Sequence, residues 1–356
     1  MSARLVLIAA CLLGMEVFCA GLLDGADVAS HAPRRTGGRR RRVAMNKDIV
    51  SQLESRLGRV HARQRLGIET DHEARVFGYG TNVLHIENWY SIHSVIRTTL
   101  KVTGLYRRGM RNAENVQIRH NVIKSQRLPR LFDGFSLLQI SDLHVEMSAG
   151  ALYRLIALLP ALVYDACVLT GDYRGPTFGP YDAALAGLER VRTHIKGPIY
   201  GVLGNHDTIR MVPAMEEMGI RMLLNETAAL ARGNARIYLA GIDDAHYYQV
   251  DNIEKVASQF PQGAFAILLS HTPEIYRQAA HASFDVLLAG HTHGGQICLP
   301  GAIPVTLGSV LPRHMGSGAW AYHAMAGYTS VGVGTSIVPV RLNCPPEITL
   351  HHLRRL

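Results

Sequence analysis

Eight residues of this sequence could do chemistry together, and each follows an apolar run. "QISDLHVE" carries Asp142 and His144, "VLTGDYRG" Asp172, "GVLGNHDT" Asn205 and His206, "LLSHTPE" His271, and "LLAGHTHGGQICLP" His291 and His293. Singly, each has a plain reading. An aspartate after a strand caps the next helix, a histidine near a core is a hydrogen-bonded structural residue, and GNHD is a turn. Gathered in one crevice they read differently. Buried carboxylates and imidazoles without partners cost on the order of several kcal/mol each, and a pair of divalent cations removes that cost. Carboxylate, imidazole and amide oxygen suit Mn, Fe, Zn or Mg, and a set without thiolates argues against a structural zinc site.

Such residues need elements to position them. The apolar runs at 135–141, 166–170, 198–203, 266–270 and 285–289 read as buried strands, and "GALYRLIALLPAL", "YDAALAGLERVRTHI", "PAMEEMG", "NIEKVASQF" and "EIYRQAAHA" read as helices between them. This alternation argues a layered α/β fold. In α/β sheets ligands bind beyond the carboxyl ends of strands, which is where all eight residues fall. "VQIRHNVIKS", "ARIYLAGIDD" and the Gly- and Pro-punctuated tail add strands. Helices are expected over 46–66 and 83–108. In the second, Ile86, Tyr90, Ile96, Leu100 and Leu105 form a stripe, with Arg97, Lys101, Arg107 and Arg108 toward its end. That helix reads either as packing on its own domain or as a peripheral contact with an anionic membrane surface.

The bulk numbers fit an enzyme-like chain. Its 356 residues are 47% hydrophobic and 18% charged, enough for a full core. A formal net charge of +9 favours acidic partners such as phosphorylated substrates or anionic lipid. No aromatic-rich basic platform accompanies the arginines, so no nucleic-acid partner is expected. The five cysteines form no C-x-x-C pair and suggest a reducing, cytoplasmic compartment. Residues 1–44 read as a targeting segment, a weak anchor, or a leader foreign to the mature protein, because "MSARLVLIAACLLGMEVFCAGLL" precedes six arginines and a second start at Met45.

In this order D-x-H, G-D, G-N-H-D, H and G-H-x-H resemble the calcineurin-like metallophosphoesterases, from about Leu128 to the C-terminus. The resemblance implies a four-layer αββα sandwich over 116–356, preceded by a helical N-terminal extension over 45–115. It implies two divalent metal ions, with Asp142, His144 and His293 on the first, Asn205, His271 and His291 on the second, and Asp172 bridging. A hydroxide between ions about 3.5 Å apart would attack phosphorus. His206 would bind a phosphoryl oxygen or protonate the leaving group, and Gly294 and Gly295 would let the backbone pass close to the site. Many relatives carry G-D-x-x-D, whose last aspartate orients that histidine. Here Gly175 stands in its place, so Asp207, Asp243 or Asp244 must substitute or nothing does. Arg174 in the same loop reads as a solvated surface residue or a phosphate contact. "LPRLFDGFSLLQISDLH", "AGIDD" and "GVGTSIVPVRLNCPPEITL" resemble a bacterial branch of membrane-associated phosphodiesterases and UDP-2,3-diacylglucosamine pyrophosphatases of lipid A synthesis. The expected function is hydrolysis of a phosphodiester or pyrophosphate, with a small-molecule or lipid substrate, at the inner face of the membrane. A general phosphomonoesterase and a non-catalytic metal-binding scaffold stay open.

Overall fold

The computed structural model describes residues 47–77 and 94–356. The segment 1–44, and Ile86 and Tyr90 of the basic helix, lie outside the described residues. Gly58, at φ +86°, divides the helix expected over 46–66 into α1 (Lys47–Leu57) and α2 (Arg59–Phe77). A positive φ costs glycine little and other residues more, so the chain turns there. The described part of the basic region is likewise two helices, α3 (94–102) and α4 (Tyr106–Ala113), parted at Gly104 with φ +71°.

The remainder is built on two six-stranded sheets. The first takes β1 (Gln117–Ser125), β14 (Glu347–Arg355), β2 (Ser136–Ile140), β3 (Ala166–Thr170), β4 (Ile199–Val202) and β5 (Ile220–Met222), in that spatial order. The second takes β12 (Gly318–Tyr322), β13 (Met325–Thr329), β9 (Val286–Ala289), β8 (Ala266–Leu269), β7 (Ala235–Gly241) and β6 (Glu226–Arg232), and a separate antiparallel ribbon pairs β10 (Cys298–Leu299) with β11 (Ile303–Pro304). Strands β2 to β5 run parallel, as do β7, β8, β9 and β13. The expected helices between them are present.

Strand alternation explains why these runs are apolar throughout. In β3, Ala166 and Val168 face one apolar cluster while Cys167 and Leu169 face another. In β8, Ile267 and Leu269 share the first of these with β3, while Ala266 and Leu268 turn to a third. The shared cluster lies between the sheets. The outer clusters are closed by helices: Leu155, Leu188 and Met215 on the first sheet, Val256 and Ala279 on the second. The result is the expected αββα layering. Leu53 of α1 and Ala62 and Leu66 of α2 join the outer cluster of the first sheet. In α3, Ile96 and Leu100 pack on Ile297, Val338, Val340 and Leu342. The described part of the stripe therefore faces the protein's own core, the plainer of its two readings.

Candidate metal centre

The parallel strands put their carboxyl ends on one edge. Asp142 and His144 follow β2, Asp172 follows β3, Asn205 and His206 follow β4, His271 follows β8, and His291 and His293 follow β9. The edges are tied across the loops: Asp142 N–H donates to Gly171 O at 3.0 Å, His144 N–H to Asp172 O at 3.1 Å, and Gly290 N–H to His271 O at 2.9 Å. Asp142, His144, Asp172, His291 and His293 all hold positive φ, between 37° and 73°. Non-glycine residues adopt this region at a cost, and such residues cluster where function holds them.

The eight side chains meet. Nε2 of His144 lies 3.2 Å from Nε2 of His293 and 3.6 Å from Oδ2 of Asp172, and Nε2 of His293 lies 3.6 Å from Oδ1 of Asp142. Beside them, Nε2 of His271 is 3.2 Å from the same Asp172 Oδ2 and 3.1 Å from Asn205 Oδ1, which is 2.9 Å from Nδ1 of His291. The atoms thus form two nests that share one carboxylate oxygen. The donor atoms of Asp142, His144 and His293 in the first nest all fall within 4.8 Å of one another, and so do those of Asp142, Asp172 and His271, a group that spans the two nests.

The far sides of the rings fix their tautomers. His144 Nδ1 is 2.8 Å from Arg174 O and His271 Nδ1 is 2.8 Å from Thr170 O. A carbonyl only accepts, so each Nδ1 carries a proton and each Nε2 faces into a nest, the orientation metal-binding histidines use. Burial lowers the pKa of His144 to about 4 and that of His291 to about 3, leaving both neutral. Burial raises Asp142 to about 6. Burial opposes charge on His271 too, but Asp172 and Asp142 outweigh it and raise that pKa to about 10. The extra proton that His271 then carries sits where a divalent cation held by these carboxylates and imidazoles would take its place.

Several expectations change. What orients His206 is the carbonyl of Gly175 itself, 2.6 Å from Nδ1, with Thr177 Oγ1 at 3.2 Å. None of the expected aspartates does so. Asp207 accepts instead from the backbone N–H groups of Gly204 and Asp172 at 2.8 Å and Tyr173 at 2.9 Å. Asp243 pairs with His61, and Asp244 accepts from Tyr247 and Tyr248 N–H. Arg174 is buried, not solvated, and donates to Gly179 O. Gly294 and Gly295 owe their small size to packing, since a Cβ would strike Val331 at the first and Pro304 at the second. Glycines that crowd the site include Gly204, whose Cβ would strike Asp172, Gly290 and Gly332, whose Cβ atoms would strike Asp142, and Gly171, whose Cβ would strike His271.

The sequence reading missed three supports. Arg341, fully buried, donates to the carbonyls of Val331 and Gly334 and lies 3.3 Å from His293 Nδ1. His246 packs against His291 with ring centroids 4.3 Å apart and planes tilted by 50°, and is held by Glu274 at 2.7 Å. Ser141 Oγ donates to Asp142 Oδ2 at 2.6 Å. No motif marks Arg341 or His246, which only the fold brings to the centre, whereas Ser141 directly precedes Asp142 in the sequence.

Strand-end carboxylates and imidazoles converging between two stacked sheets define a metallohydrolase. Comparison with known proteins gives the particular family. Residues 135–295 match the family described as Calcineurin-like phosphoesterase. The chain is 30% identical to the metallophosphoesterase YkoQ of Bacillus subtilis, over 61% of this chain and 83% of that protein. It is 30% identical to YkuE of the same organism over 67% and 86%. To the phosphodiesterase YaeI of Escherichia coli it is 27% identical over 62% and 82%. The chain belongs to the calcineurin-like metallophosphoesterase family and is a metal-dependent phosphoric ester hydrolase acting on a phosphorylated substrate.

Proposed function

We propose that the chain is a dinuclear phosphodiesterase or pyrophosphatase working on a lipid-linked substrate at the cytoplasmic face of a membrane. The observation that carries the dinuclear reading is the single oxygen, Asp172 Oδ2, common to the two donor nests. Asp142, His144 and His293 would hold one ion and Asn205, His271 and His291 the other, with Asp172 between. Bound there, the ions supply Lewis acidity and an acidified water as nucleophile. His206 Nε2 is the nitrogen left for substrate, since Nδ1 donates to Gly175 O. In its protonated form it donates to a phosphoryl oxygen or the leaving group.

The lipid reading draws support from α3 and α4. Opposite the inward Ile96 and Leu100, Val95, Val102 and Met110 are exposed among the exposed Arg97, Lys101, Arg107 and Arg108. Exposed apolar and cationic side chains together on these two helices suit an anionic bilayer surface. Among the described residues no helix is long and apolar enough to cross a membrane. The name of YaeI places that protein among phosphodiesterases and favours the diester over the monoester class.

Two measurements test this. Protein stripped of metal by chelator and reloaded with manganese, zinc, iron or magnesium should recover turnover of bis-p-nitrophenyl phosphate, with about two ions per chain as the bridging carboxylate requires. No turnover on any phosphoester by fully loaded protein would leave a metal-binding scaffold. With UDP-2,3-diacylglucosamine in mixed micelles, UMP should be released. A chain that cleaves the soluble diester but never releases UMP keeps the phosphodiesterase reading and loses the lipid one.

A further inference from the structure

We propose that Arg65 and Glu69, on the helix ahead of the sandwich, are positioning residues of the phosphoesterase site: they hold from behind the loop that presents Asn205 and His206. This rests on the roles given above to those two residues. Arg65 and Glu69 stand one helical turn apart on α2, so they share a face, and they are 0% and 3% exposed. Charged side chains are buried to this extent only when paired.

Their partners are consecutive. Arg65 Nη2 donates to Asp207 O at 3.0 Å. Glu69 Oε2 accepts from Thr208 Oγ1 at 2.6 Å, and Oε1 accepts from Ile209 N–H at 2.8 Å. Arg210 Nη1 lies 3.4 Å from the same carboxylate. The arginine is steadied by Asp243, 3.5 Å from Nε, and by the Tyr248 ring, whose centroid is 3.2 Å from Cζ. The helix thereby grips the main chain at 207 and 209 and the side chain of Thr208, directly after Asn205 and His206. From the other side Asp207 ties this loop to Gly204, Asp172 and Tyr173. A shift of the loop would move an expected ligand and the expected proton donor together.

Helix docking alone does not account for this chemistry. Buried ion clusters add little to stability compared with apolar packing of the same volume, and Leu53, Ala62 and Leu66 already supply such packing. A carboxylate accepting from two successive residues fixes the loop's position and rotation, which apolar contact leaves loose.

The test uses the full chain loaded with manganese and assayed on bis-p-nitrophenyl phosphate well below each variant's melting midpoint. Glu69→Ala should lower kcat about 10- to 100-fold, the usual cost of removing a partner behind a metal site, with KM within about threefold. Glu69→Gln keeps an acceptor oxygen and should regain most of the loss. A folded Glu69→Ala with kcat within about twofold of wild type overturns the proposal, since the removal of such a partner costs more. Should that variant not fold, Thr208→Val decides: it removes the hydroxyl donor alone and should lower kcat about fivefold or more, while Thr208→Ser retains it. Unchanged kcat in Thr208→Val overturns the proposal. A wild-type chain that neither binds manganese nor turns over removes the site assignment and this proposal with it. A wild type that does both, beside variants that match it, removes this proposal alone.

Discussion

Asp172→Ala should abolish turnover, by about 10³-fold or more, and strip the protein of most of its bound metal. The reason is geometric. Its Oδ2 lies 3.6 Å from Nε2 of His144 and 3.2 Å from Nε2 of His271, so one truncation removes a donor from both nests. The other oxygen accepts from His206 N–H at 2.9 Å, so the loop after β4 loosens as well. Metal content by plasma emission, read beside kcat on the same sample, checks this. A variant that keeps two ions and a tenth or more of the activity would remove Asp172 from the centre. Retention of one ion with all activity lost would place it in a single nest.

His206→Ala should have the opposite profile. We expect kcat to fall about 10²- to 10³-fold, the range for a general acid or a phosphoryl-oxygen donor, while metal content stays at the wild-type value. The ring meets His144 edge-on, with centroids 5.1 Å apart, its Nδ1 is committed to Gly175 O, and neither converging group of carboxylate and imidazole atoms includes its nitrogens, so Nε2 is left for substrate. Substrates with a good leaving group, such as a p-nitrophenyl ester, should lose less than those with an alkoxide leaving group if the residue donates a proton. An equal loss on both would assign it to phosphoryl-oxygen binding. Loss of metal in His206→Ala would contradict either role.

Much of the architecture was legible in the sequence. The five runs end in residues whose side chains only a polar crevice or a cation can satisfy, and parallel strands bring such ends to one edge. The helix divisions at Gly58 and Gly104 were not read, because glycine in a helical pattern becomes a break only where the chain must turn to pack. The missing aspartate at Gly175 looked like a lost orienter for the same kind of reason. A sequence lists side chains, and the acceptor here is a backbone carbonyl.

Order, spacing and donor type along one chain determined the fold class, the metal-dependent chemistry and the residues to suspect, because local periodicity and ligand chemistry are written residue by residue. Only the tertiary structure decided which atoms face one another: Arg341 behind His293, Gly175 O on His206, and Glu69 beneath the loop after Asn205. The partners in all three pairs lie at least 31 residues apart in the chain. Hydrogen bonds to carbonyls and buried ion pairs depend on distance and direction, which no pattern of residue types records until the layers are stacked.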